Sequence, residues 1–216
     1  MNKVDAQPER AALILNGETV PDTISAAFIA CADGGYNLLR ARGIVPDVLI
    51  GDMDSVTPAA LRDAENRGVR LLKFNVDKNE TDGELALRYL SEKYSRIDIY
   101  GAFGGRRDHE AANLSLLPLA HELEATAVIR GADCDVHFAS ACGGEAARFA
   151  VKADGREIVS IVPLTVMTLA DSHGLQYDLS GLVLRPGSTR GISNIATQNE
   201  IGFTLLSGSG YIYITA

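Results

Sequence analysis

From residue 11 to residue 129, short apolar runs alternate with amphipathic stretches, the pattern of βαβ units feeding a parallel sheet. Strands are expected over residues 11–15, 24–32, 48–50, 69–74, 97–100 and 127–129. Thr57 followed by Pro58 predicts a helix over residues 58–67, because proline at the first helical position gives up only an N–H that would lack a helical partner anyway. Thr81 and Glu84 have capping-box spacing. They predict a helix over residues 82–94 carrying Leu85, Leu87 and Leu90, and assign Glu84 to the cap rather than to a ligand. A further helix is expected from near Asp108, to be kinked or ended by Pro118.

After about residue 138 the helical period disappears. Alternating runs at 158–163, 167–170, 202–206 and 211–215 predict an all-β half, and Cys142-Gly143-Gly144-Glu145 reads as a linker near the change. The expected organisation is an α/β domain with a mostly parallel, Rossmann-like sheet over residues 1–138, followed by a β-sandwich over residues 139–216.

With 216 residues, 46% of them hydrophobic, the chain can build real cores. Its net charge of −8 disfavours nucleic acid or an anionic membrane as partner, and its 20 Lys and Arg are scattered, with Arg106-Arg107 the densest pair. Residues 1–10 are polar and no apolar run is long enough to cross a bilayer, so a cytoplasmic protein is expected. Cys31, Cys134 and Cys142 form no CxxC pair, which argues against a disulfide framework or a zinc cage and for reduced, buried thiols. The triplets Asn79-Glu80-Thr81 and Asn113-Leu114-Ser115 are read as chance matches to a glycosylation signal.

In an open parallel sheet, ligands bind beyond the carboxyl ends of the strands. Those positions are acidic and glycine-rich here: Asp33-Gly34-Gly35, Gly51-Asp52-Met53-Asp54-Ser55, the segment from Asp77 to Asp82, and Gly101-Ala102-Phe103-Gly104-Gly105-Arg106-Arg107-Asp108. In an extended segment Asp52 and Asp54 would share one side, and two carboxylates so close call for a cation. Hard oxygen donors suit Mg²⁺, which takes one or two carboxylates and completes its shell with water and phosphates. The plainer alternative is that Asp54 and Ser55 cap a helix while Asp52 makes a turn; Asp33 and Asp82 at neighbouring strand mouths favour the metal. Lys78 and Arg106 offer positive charge for phosphate oxygens. No Lys follows a Gly and no GxGxxG opens a helix, which excludes ordinary P-loop and dinucleotide enzymes. His109, His121, His137 and His173 lack metal-ligand spacing, and His109 alone lies in an acidic loop.

Taken together, Ala32-Asp33-Gly34-Gly35, the stretch from Pro46 to Ser55, the segment from Asp77 to Asp82 and Gly104-Gly105-Arg106-Arg107-Asp108-His109 resemble the thiamine pyrophosphokinase family in order and spacing. Gly181 to Leu184 and Gly191-Ile192-Ser193-Asn194 look like that family's substrate-side motifs. The resemblance implies Mg²⁺-dependent transfer of a pyrophosphoryl group from ATP to the hydroxyl of thiamine by a homodimer. It implies Asp52, Asp54 and Asp82 as metal ligands and catalytic residues; that one of the aspartates, Asp82 among the choices, also accepts the hydroxyl proton is a mechanistic expectation, since the sequence identifies no base. Asp33, Gly34, Lys78, Thr81, Arg106 and Asp108 would attend the nucleotide, and Tyr177, Ser193 and Asn194 the thiamine. Tyr177 stands where some members stack a Trp, a residue this chain lacks. Two rival readings are a pyrophosphokinase of the same fold acting on another alcohol, such as a hydroxymethylpterin, and a nucleotide- or thiamine-binding module without turnover.

Overall fold

The computed structural model describes residues 9–18, 20–75, 79–141 and 144–215. The chain divides into two compact units at Ala132/Asp133. The expected boundary at residue 138 therefore falls inside a strand of the second unit, since the polar Asp133-Cys134-Asp135 start masks it in the sequence.

The first unit is a six-stranded parallel sheet in the order β6-β5-β1-β2-β3-β4. Its strands are β1 (Arg10–Ile14), β2 (Phe28–Ala32), β3 (Val48–Gly51), β4 (Arg70–Lys73), β5 (Arg96–Tyr100) and β6 (Thr126–Arg130). β1 to β3 and β5 are buried almost throughout, as expected when helices cover both faces of a parallel sheet. One face, with Ala12, Ile14, Cys31 and Leu49, packs on Tyr36 and Leu39 of α1 (Gly35–Ala41) and on Ala60 and Ala64 of α2 (Pro58–Asn66). The opposite face carries Leu13, Ala30 and Ile50, and α3 (Asp82–Ser91) runs beside β1, β2 and β3. The sheet turns back at β1, where β2 lies on one side and β5 on the other, and this reversal is the switch point at which a ligand crevice is expected.

Local chemistry explains most of the helix limits. Thr57 Oγ1 accepts the Ala60 N–H at 3.2 Å, with Pro58 in the first turn of α2. Thr81 Oγ1 accepts the Glu84 N–H at 3.2 Å, but the Glu84 carboxylate turns to Arg88 at 2.9 Å, so only half of the expected capping box forms. As expected, Pro118 breaks the helix that begins near Asp108; it sits within the following α5 (Leu116–Glu122). Its ring excludes the carbonyl four residues earlier, that of Leu114, and α4 (Arg107–Leu114) stops there.

Among the described residues the regular elements of the second unit are all strands: β7 (Cys134–Ala141), β8 (Ala147–Lys152), β9 (Ile158–Pro163), β10 (Met167–His173), β11 (Val183–Leu184), β12 (Asn194–Ile195) and β13 (Glu200–Thr215). Cys142 and Gly143 of the expected linker lie outside the described residues. The runs 202–206 and 211–215, read as two strands, are one strand of 16 residues that serves two antiparallel sheets. Its first half pairs with β8 and β10, and its second half with β7 and β9. Both sheets send side chains into one core, where Leu169, Phe203 and Leu205 meet Val159, Ile161 and Ile212.

The crossing point is Gly208, at φ +89°, where an added Cβ would lie 2.1 Å from the Val166 carbonyl oxygen. Replacing it combines backbone strain with a clash against main chain, which flexible side-chain motion cannot relieve. Gly208→Val should lower stability by about 2–4 kcal/mol, read as a lower urea midpoint at unchanged m-value; an unchanged midpoint would mean that the strand crosses between sheets without needing this conformation.

Candidate active site

The parallel strands end at a cleft of about 790 Å³ whose lining, among the described residues, comes from the first unit and includes Asn16, Asp33, Asp52, Thr81, Asp82 and Arg106. Three carboxylates converge in it. Asp33 follows β2, Asp52 follows β3, and Asp82 opens α3 just after its cap at Thr81. One oxygen from each lies within 4.8 Å of the other two. Gly51 permits this approach: at φ +147°, a Cβ there would fall 3.0 Å from the Asp82 carboxyl and 3.1 Å from the Asp33 Cβ.

Asp33 is the buried member, 7% exposed, and its Oδ1 has no hydrogen-bond partner. Burial pushes its pKa above the ordinary carboxyl range, opposed by the Ser55 hydroxyl and the Gly34 N–H and reinforced by the charges of Asp82 and Asp54. A buried carboxylate oxygen without a donor, beside two further carboxylates, is a site short of a cation. Hard oxygen ligands in this number fit Mg²⁺.

Asp54 does not belong to this triad. Met53 adopts φ +69°, so Asp52 and Asp54 do not lie on an extended segment, and the expectation that both share one side fails locally. Asp52 instead accepts the Asp54 N–H at 3.1 Å in a tight turn, and Asp54 accepts the Ser55 hydroxyl at 2.8 Å. Asp54 still lines the cleft.

Two loops form the rest of the cleft. Gly17 lies so close to the loop after β5 that a Cβ would meet the carbonyl oxygens of Phe103 and Gly101 at 2.2 and 2.3 Å, and Glu18 N–H donates to Phe103 at 3.0 Å. The glycine loop is also tied to α4. Asn113 donates to the Ala102 carbonyl at 2.8 Å, and Glu110 accepts the Gly104 N–H at 2.8 Å. Arg106 and Asp108, both lining the cleft, pair with each other through two bonds of 2.6 and 3.1 Å. That partner holds the Asp108 carboxyl down at about 2. Gly34 does not line the cleft; it packs under the Asn16 side chain, where a Cβ would be 2.4 Å from the amide nitrogen. Lys78 lies outside the described residues.

Residues 23–129 match the family model described as the catalytic domain of thiamin pyrophosphokinase, and residues 148–209 match its vitamin B1 binding domain. The chain is 30% identical over 215 residues to thiamine pyrophosphokinase of Bacillus subtilis, covering 96% of this chain and 94% of that protein. The chain belongs to the thiamine pyrophosphokinase family. Thiamine pyrophosphokinase 1 of Arabidopsis thaliana is 28% identical, over 79% of this chain and 72% of its own length. The solved structure of the Bacillus subtilis enzyme has a TM-score of 0.84 at 22% identity, covering 96% of this chain and 99% of that one. That of Candida albicans thiamin pyrophosphokinase has a TM-score of 0.80 at 19% identity, covering 97% and 89%. The two structures share the fold.

The positions expected to face thiamine in this family lie in the second unit. Tyr177 is 61% exposed, Ser193 is exposed at φ +63°, and Asn194 is buried. Residues that the sequence reading did not single out are Asn16, Gly17, Glu110 and Asn113. The first two follow β1, where the rule of examining strand ends would have found them. Asn113, the first residue of the Asn113-Leu114-Ser115 triplet, has its role in the bond to the Ala102 carbonyl.

Asp33→Asn, Asp52→Asn and Asp82→Asn should each weaken Mg²⁺ binding at least tenfold in calorimetric titration with nucleotide present, with Asp54→Asn costing less; equal losses for all four would restore Asp54 to the triad. Asp33 binds its proton more tightly folded than unfolded. The metal-free fold is therefore most stable with that proton on, and loses stability as pH rises from the ordinary aspartate range through the raised value. Urea midpoints measured across that range without Mg²⁺ should fall, and Asp33→Asn should flatten the slope.

Proposed function

We propose that this protein transfers the pyrophosphoryl group of ATP to the hydroxyl of thiamine, forming thiamine diphosphate and AMP. The observation that carries the reading is the convergence of Asp33, Asp52 and Asp82 on a cleft walled by glycine loops, in a chain that belongs to this family. The thiamine oxygen attacks the β-phosphorus, the bond from that phosphorus to the oxygen bridging to the α-phosphate breaks, and AMP leaves with that oxygen. The hydroxyl proton goes to an acceptor, for which the carboxylates of the cleft are the available groups.

Asp33, Asp52 and Asp82 would hold Mg²⁺, which when bound supplies charge neutralisation across the phosphate oxygens. Asp54 lies beside that set at the cleft wall. The backbone N–H groups of the loops after β1 and β5 orient the phosphates, and Arg106, released from Asp108, neutralises an oxygen that the metal leaves charged. Lys78 fits the same role from the sequence. Thr81 fixes the start of α3 and with it the direction of Asp82. In the second unit, the Tyr177 ring offers a face to the cationic thiazolium and Ser193 an exposed polar contact beside it. A homodimer working in the cytoplasm completes the reading; separately, no helix of the described residues is long and apolar enough to cross a membrane.

The test is incubation of the purified protein with ATP, Mg²⁺ and thiamine, following AMP and thiamine diphosphate together by chromatography. Equal yields, abolished by EDTA and reduced at least a hundredfold by Asp52→Asn, are expected. AMP formed only with a pterin alcohol would move the acceptor assignment, and no AMP with any acceptor would leave a binding module.

A further inference from the structure

Tyr177 combines two properties that rarely go together. The residue is 61% exposed, more than any other large hydrophobic residue among those described, yet its backbone is held on both sides. The Tyr177 N–H donates to Asn194 Oδ1 at 3.0 Å, and Asn194 Nδ2 donates to the Tyr177 carbonyl at 2.8 Å. Asn194 Oδ1 also accepts the Ile195 N–H at 2.9 Å. One buried amide, 6% exposed, thus imitates a strand partner for a single residue. The neighbouring chain is fastened too: Gln176 N–H donates to the Ile195 carbonyl and Thr197 N–H to the Gly174 carbonyl, each at 2.8 Å. On the far side, Asp178 accepts the hydroxyls of Ser172 and Ser180 at 2.6 and 2.7 Å and the Ser180 N–H at 2.9 Å.

We infer that Asn194 is a positioning residue that sets Tyr177 as a rigid platform for the thiazolium of thiamine, and does not itself touch the ligand; this rests on the thiamine reading above. Both ends of the Asn194 amide are engaged with main chain, and the residue lies in the interior, so it has little to offer a ligand directly. What it supplies is order. An exposed ring on a loose loop loses conformational freedom when a ligand stacks on it, whereas a ring whose backbone is already fixed loses little, and the difference is retained as affinity. The same amide fixes the start of β12, so Ser193, the residue before it, is held in register beside the platform. The expected contact at Asn194 is therefore reassigned from substrate binding to support of the residue that binds.

A double-mutant cycle on the full chain separates the two roles. Tyr177→Ala should weaken thiamine binding about tenfold, measured by calorimetry and as the thiamine KM. Asn194→Ala should weaken it by a similar factor while the ATP KM stays at the wild-type value. The double variant should be no weaker than Tyr177→Ala alone. Tyr177→Trp should tighten binding in the wild-type background and not in Asn194→Ala. If the Asn194→Ala loss persists in full without the Tyr177 ring, the amide contacts thiamine directly and the inference fails while the stacking reading stands. An Asn194→Ala protein with unchanged thiamine affinity overturns the inference as well. Should Tyr177→Ala bind thiamine as tightly as wild type, the platform itself is wrong. An unaltered cooperative melt and ATP KM control for folding, and Asn194→Asp, which keeps the side-chain shape and loses the donor to the Tyr177 carbonyl when ionised, carries the same cycle if the alanine variant does not fold.

Discussion

Three carboxylates within 4.8 Å of one another repel, and much of the first unit can be read as the means of holding them there. The apolar sheet supplies rigidity: β2 and β3 end on buried residues, and Asp33 N–H is tied to the Ile50 carbonyl at 2.9 Å, so the first two acids cannot drift apart. The third is brought in by a helix start, and acids are favoured there by the unpaired N–H groups of the first turn. Gly51 removes the one Cβ that would keep them separate. The repulsion that remains, together with the desolvation of Asp33, disfavours the all-ionised empty site and so favours occupation by a divalent cation.

The glycine-rich side of the cleft meets a related need for support. Its two loops meet main chain to main chain, an approach that glycine permits at Gly17 and Gly101. Loops rich in glycine have little side-chain packing of their own to hold them. The structure supplies it from outside, through Glu110 and Asn113 of α4 and through the main-chain bond from Glu18 to Phe103. In the second unit the same need is met differently: β13, shared by two sheets, ties the sandwich together, and single side chains such as Asn194 and Asp178 fasten the loop that displays Tyr177.

How far the sequence could be read depends on the range of the interaction. The six strands of the parallel sheet, the caps of α2 and α3 and the acidic strand ends are local or periodic features, and they were legible. α1 was missed because seven residues beginning with glycine carry too little periodicity to stand out. The two predicted strands at 202–206 and 211–215 merged because Ser207-Gly208-Ser209-Gly210 resembles a turn in sequence; pairing with β10 on one side and β7 and β9 on the other keeps it extended. Asp54 was placed with Asp52 by assuming an extended backbone, and a left-handed Met53 undid that inference.

By itself, then, the sequence determined which chemistry is present: four aspartates and glycines at strand mouths, an α/β pattern followed by strands, and the motif order of a family. These depend on residue type, spacing and period, which are written along the chain. Only the tertiary structure decided which three carboxylates meet, that Arg106 is paired with Asp108, that Asn113 serves the glycine loop and that Asn194 faces Tyr177 rather than open space. Each of these joins depends on backbone direction at a few residues, or on two segments far enough apart in sequence that no local pattern records their distance.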